Sequence, residues 1–185
     1  MNYEAIDNSR TALALSQKKG LPFIIASVIL WGLITYVSRL NLPLQERNLI
    51  TFFCSCPLMP LATLIGKIIG VNIFDKTNPL SKLGFLFTIN QTIYLIIVMW
   101  AFNSAPGQMV MLYAIVFGAH LLPYSWLYKS TGYKMAAVLI PIASLFLGLR
   151  FGAFGVALFT CMAELLLTIV LFAETSVLQR HKALA

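Results

Sequence analysis

Four side chains stand out because they are polar and sit where polarity is costly. His120 lies inside the apolar run 106–128, Glu164 inside 151–173, and the neighbours Asn90 and Gln91 inside 83–102. Unpaired polar groups are expensive in hydrocarbon, so ionisable residues inside such runs are functional candidates by default. A histidine and a glutamate facing one another in a low dielectric can bind and release one proton, or hold a small cation or polar ligand. Tyr113, Phe117, His120 and Tyr124 recur at three- and four-residue spacing, which places them on one helix face. Tyr124 therefore joins the candidate ligand-binding set. Thr160, Glu164 and Thr168, four apart, form a polar stripe on a second helix.

These residues need elements to carry them, and composition says which. The chain has 185 residues, 59% of them apolar and 10% charged. Soluble proteins run near 45–50% apolar and ~25% charged. A domain this small has too much surface to hide such an apolar fraction from water, and lipid contact is the economical solution. A crossing needs about 20 mostly apolar residues. Six stretches qualify: 21–38, 48–70, 83–102, 106–128, 133–149 and 151–173. The expected fold is therefore all-α, a polytopic bundle of six transmembrane helices occupying 20–173. A segment 1–19 precedes it, either a short surface helix or loose chain, and a basic tail 174–185 follows. Pro57 and Pro60 predict a kink in the second crossing. The string Gly148-Leu149-Arg150-Phe151-Gly152 predicts a tight hairpin between the fifth and sixth.

Lysine and arginine set the orientation. With the N-terminus in the cytoplasm, Arg10, Lys18, Lys19, Lys67, Lys76, Lys82, Lys129, Lys134, Arg180 and Lys182 fall inside, and only Arg39, Arg47 and Arg150 fall outside. Both termini are thus expected in the cytoplasm of an inner-membrane, multi-pass protein. The net charge of +7 is spread between apolar runs, which fits headgroups and topology and excludes a nucleic-acid patch. The loop 71–82 should be ordered near the headgroups. Tyr124, Trp126 and Tyr128 read as an interfacial aromatic belt at the inner boundary.

Depth follows from the topology at ~1.5 Å per residue. His120, Asn90, Gln91 and Glu164 all fall roughly 10–15 Å from the cytoplasmic ends of their helices. The functional reading is a shared cytoplasm-facing cavity. The plainer reading is that these residues hydrogen-bond across helices to fix packing.

Catalysis has no support. The chain lacks H-E-x-x-H, G-x-S-x-G, a Walker loop and G-x-G-x-x-G. The only aspartates, Asp7 and Asp75, lie outside the crossings, and Ser125 does not share a helix face with His120. Cys54, Cys56 and Cys161 lie in apolar runs without metal-ligand or redox spacing, and are expected to be buried small hydrophobes. No catalytic residue, metal or cofactor is expected, and no internal repeat is evident.

The string Gly118-Ala119-His120-Leu121-Leu122-Pro123-Tyr124-Ser125-Trp126-Leu127-Tyr128 resembles a family of small, uncharacterised bacterial multi-pass membrane proteins. Gly20-Leu21-Pro22-Phe23 and Asn78-Pro79-Leu80 share that resemblance, which spans about 18–172. It implies a bacterial inner-membrane protein and carries no role onto any residue. The leading expectation is a small transporter or permease-like protein for a proton, a cation or a small polar solute. Its rival is a non-transporting subunit, sensor or immunity-type protein, an oligomer included, whose polar residues are structural. A membrane enzyme comes third.

Overall fold

The computed structural model describes residues 3–184, and these are all-helical, with no strand among them. The helices are α1 (Tyr3–Ser16), α2 (Leu21–Val37), α3 (Leu44–Cys54), α4 (Leu58–Ile68), α5 (Ser81–Ser104), α6 (Met109–Ala119), α7 (Leu121–Leu127) and α8 (Thr131–Leu184). Five stretches are long and apolar enough to cross a membrane: Lys18–Val37, Leu44–Ile68, Ser81–Ser104, Pro106–Leu127 and Thr131–Arg180.

Proline and glycine explain the breaks. Pro57 has no N–H to donate, and the chain passes from α3 to α4 through three-residue turns, Ser55 N–H to Phe52 O at 3.2 Å and Cys56 N–H to Phe53 O at 3.1 Å. Pro123 likewise cannot bond the carbonyl four residues back, that of Ala119. The helix ends there and restarts at Leu121, leaving His120 at the joint between α6 and α7.

The expected hairpin at 148–152 is tighter than its sequence suggested. The helix runs straight through Gly148 and Arg150, and the reversal falls on Gly152 alone, at φ 66° and ψ −161°. That conformation is essentially restricted to glycine. The two arms of α8 then lie side by side: the Gly132 N–H donates to Glu174 Oε1 at 3.1 Å. Gly148 instead makes room for Met111, whose Sδ would lie 2.5 Å from a Cβ there.

Packing centres on α2, α6 and α8. One core cluster gathers Leu13, Leu21, Ile24, Leu121, Ile140 and Leu171; a second gathers Trp31, Ile34, Met109, Phe117, Val156 and Ala157. Gly118 sets the approach of α6 to the first arm of α8. A Cβ at that position would lie 2.6 Å from Pro141 Cδ and 2.8 Å from Ile140 Cβ. Small residues at crossings are how membrane helices gain close contact. Gly118→Ala is therefore expected to lower stability by about 1–3 kcal/mol through overpacking. Equilibrium unfolding in mixed micelles would measure it, and an unchanged midpoint would show that the helices do not meet at residue 118.

The N-terminal segment is neither loose nor lying free on a surface. Helix α1 buries Leu13 and Ala14 in the bundle. Lys129 Nζ donates to Asp7 Oδ2 at 2.7 Å, and the Arg10 guanidinium donates to the Trp126 carbonyl and covers the Trp126 ring at 4.5 Å. The hydrogen-bonded Lys129 ammonium holds the Asp7 carboxyl below the ordinary carboxylate range. Loop 71–80 is tied in as well, with Asn78 Nδ2 donating to the Ser9 carbonyl at 2.8 Å. The cysteines depart from expectation: Cys56 is exposed, while Cys54 and Cys161 are half-buried.

Candidate functional site

A cavity of about 120 Å³ opens beside the α6–α7 joint. Three of the five candidates from the sequence line it: His120, Gln91 and Tyr124. The α6–α7 break places His120 there, because ending the helix ahead of Pro123 leaves the imidazole at the joint. Its Nδ1 pairs with the Phe117 carbonyl one turn back, and its Nε2 has no protein partner among the described residues. Gln91 reaches the cavity from α5, where Thr88, one turn earlier, shares its face. Tyr124 OH pairs with Thr88 Oγ1 at 2.9 Å and donates to the Gly84 carbonyl at 3.3 Å, which ties α7 to α5.

Tyr124 is also the hub of an aromatic cluster. Its ring lies 5.9 Å from that of His120 and 6.0 Å from those of Tyr128 and Tyr133. These separations are within the range at which offset and edge-to-face rings attract. The phenol of Tyr128 donates to Gln17 Oε1 at 2.7 Å, and that of Tyr133 to the Lys19 carbonyl at 2.9 Å. The aromatic belt expected at 124–128 is therefore divided. Trp126 is 47% exposed, whereas Tyr128 is 4% exposed and lines the cavity with Tyr124.

Two candidates do not join. Asn90 is exposed on the outer face of α5. One residue along an α-helix is ~100° of rotation, so the neighbours Asn90 and Gln91 point to different surroundings. Glu164 is fully buried on the second arm of α8, but its partner is Ser27 of α2, with Ser27 Oγ at 2.5 Å from Glu164 Oε2. Among the described residues Glu164 Oε1 has no partner, and no hydrogen bond joins Glu164 to His120. The stripe beside it bonds to its own helix, with Thr160 Oγ1 donating to Val156 O and Thr168 Oγ1 to Glu164 O. The shared layer deduced from depth thus separates into a cavity on one side of α2 and an α2–α8 seam on the other, with Ser27 touching both.

Sequence reasoning passed over Gln17, Ser81, Thr88 and Tyr133, which also line the cavity. Glycine was the available signal. A Cβ on Gly20 would lie 3.0 Å from Tyr133 Oη and 3.1 Å from Tyr128 Cε2, so the left-handed Gly20, φ 74°, is where the tyrosines come closest to the backbone. Ser81 Oγ is buried without a partner among the described residues.

The lining is mixed, with the aliphatic side chains of Ile24, Leu58, Met59, Ile73 and Leu121 beside its polar and aromatic groups. It offers amide, hydroxyl, phenol and imidazole groups on a wall of Phe23, Phe85, Phe117 and tyrosines, and none of the lining residues is Asp, Glu, Lys or Arg. Among the described residues no three His, Cys, Asp or Glu side chains gather as a metal set.

A family model described as "Family of unknown function (DUF7010)" matches residues 6–174, a span slightly longer than the resemblance at 18–172. No curated protein and no solved structure matches the chain.

Proposed function

We propose that this chain, which belongs to the DUF7010 family of unknown function, is a small permease-like protein of the bacterial inner membrane whose cytoplasm-facing cavity takes a small uncharged polar solute. The observation that carries this reading is the cavity itself: a mainly apolar and aromatic space into which Gln17, Ser27, Ser81, Thr88, Gln91, His120 and the tyrosines bring polar groups, opening past the exposed Phe74 and Phe85. Counting the arms of α8 as separate crossings gives six, and the lysine and arginine distribution puts both termini in the cytoplasm. The cavity residues Gln17, Gly20, Ser81 and Tyr128 then lie near the cytoplasmic ends of their helices. About 120 Å³ accommodates a few waters or one small solute. An ion entering would meet no countercharge on the lining, and a bare charge in an apolar surround is costly. Among a proton, a cation and a polar solute, the uncharged solute therefore fits best. Gln91 and His120 would hold its polar end, and the aromatic wall its apolar side.

The rival reading, a non-transporting subunit or sensor, draws on Glu164, whose contact with Ser27 behaves as helix-to-helix packing. Two measurements separate the readings. Gln91→Cys in inside-out vesicles is expected to react with a small membrane-impermeant thiol reagent well above the background of the three native cysteines. In proteoliposomes, the wild type should speed osmotic entry of urea, acetamide or glycerol over empty liposomes, and Gln91→Leu should remove most of that gain. Absence of labelling from either face, with entry no faster than in empty liposomes, would overturn the permease reading.

A further inference from the structure

Helix α5 is the odd member of the bundle. Across its 24 residues only Val98 and Ala101 are buried. Its outer face is apolar, as lipid requires, with Leu86, Ile93 and Ile97 all exposed. Two residues on that face break the pattern. Asn90 is exposed, and Tyr94, one turn later on the same face, is 43% exposed. Neither side chain has a hydrogen-bond partner among the described residues. Both lie within about three residues of the helix midpoint, so on this topology they sit about 5 Å or less from the middle of the bilayer. An asparagine is too short to reach the headgroups from there. An unpaired amide in hydrocarbon costs several kcal/mol, and none of the described residues relieves it.

We infer that a second copy of this chain covers the outer face of α5, with Asn90 of each copy bonded to Asn90 of the other across a twofold axis. The chemistry of the amide selects this occupant. Asparagine carries both a donor NH₂ and an acceptor carbonyl, so two copies related by a twofold satisfy each other without any third group. A twofold interface also brings the same patch together on both sides, and the remaining apolar face sets no further unpaired polar group against the partner. Tyr94, four residues on, donates its phenol within the same seam. Lipid alone offers Asn90 no acceptor at that depth. The cavity residues Thr88 and Gln91 lie on another face of the same helix, Gln91 about 100° of rotation from Asn90, so the dimer would also hold one wall of the cavity in place.

The test is the oligomeric state of the full chain in a bilayer. Fluorophore-labelled protein reconstituted in vesicles at low copy number is expected to bleach mainly in two steps. Asn90→Leu should shift the distribution to one step, weakening association on the order of tenfold, while retaining wild-type helical circular dichroism. Asn90→Gln, which keeps donor and acceptor, should remain dimeric, and Tyr94→Phe should fall between. Single-step bleaching of the wild type at every protein-to-lipid ratio would overturn the inference, including the case of a different protein covering the face. So would an Asn90→Leu variant that stays as dimeric as the wild type. If Asn90→Leu does not fold, Tyr94→Phe and Asn90→Gln still decide: equal monomer fractions in all three proteins, wild type included, would sink the seam.

Discussion

Replacing Lys19 with methionine is expected to lower stability by about 2–3 kcal/mol, a large effect for a residue in a connecting turn. Lys19 is 5% exposed despite its charge. Its ammonium lies 2.7 Å from Glu174 Oε2 and donates to the Lys129 carbonyl at 3.2 Å. Glu174 Oε1 accepts the Gly132 N–H, so this one pair joins the α1–α2 turn to both arms of α8. Breaking a fully buried pair costs about 3–5 kcal/mol, because one charge is left uncompensated. The Glu174 side chain is 22% exposed and water screens part of that loss, which sets the lower figure. The turn itself is strained: Lys18 and Lys19 have φ of 45° and 52°, a left-handed conformation that non-glycine residues rarely adopt. Surrounding bonds must hold it in place, and the Lys19 pair is the strongest of them. The double variant Lys19→Met with Glu174→Gln should recover much of the loss, since no orphan charge remains. Unfolding in mixed micelles would measure all three proteins. A silent Lys19→Met would show that the pair is not made.

Ser27 and Glu164 should behave asymmetrically. Ser27→Ala is expected to cost about 1–3 kcal/mol, because the fully buried Glu164 carboxyl loses its one side-chain partner among the described residues. Glu164→Leu is expected to be near neutral. Ser27 Oγ also lies 2.7 Å from the Ile24 carbonyl, so its proton keeps an acceptor when the carboxyl is gone. The double variant, Ser27→Ala with Glu164→Leu, should likewise sit near the wild type, because removing both partners leaves no polar group unpaired. This pattern marks a packing contact. Solute entry in proteoliposomes supplies the second readout. If Glu164→Leu folds normally yet loses entry, Glu164 belongs to the site, and its placement in the seam alone is wrong.

Much of the fold was legible because its signals are one-dimensional. Apolar runs of crossing length, the proline at 57 and the glycine at 152 each act on the chain next to them; the break ahead of Pro123, inside the run 106–128 expected as one crossing, was not read from the sequence. A missing N–H or a left-handed φ is a local matter. The candidate site was legible only in depth. Counting residues along helices placed His120, Gln91, Asn90 and Glu164 at one level, but which way each points depends on rotation about the helix axis. In a soluble protein an amphipathic pattern reveals that rotation. In lipid it does not, because the outside of the bundle is as apolar as its core. Helix α5 shows the result: Gln91 lines the cavity and Asn90, its neighbour, faces outward.

By itself, then, the sequence determined that the chain is helical, lipid-compatible and broken at particular prolines and glycines, since those properties follow from composition and local backbone chemistry. It also singled out His120 as a polar group at an unusual place. Only the tertiary structure decided that His120 shares a cavity with Gln91 and Tyr124, that Glu164 is sealed against Ser27, and that the N-terminal helix is pinned by Lys19 and Lys129. Those outcomes depend on which helix faces which. Close packing around Gly20 and Gly118 settles that question, and residue spacing along one helix carries no information about it.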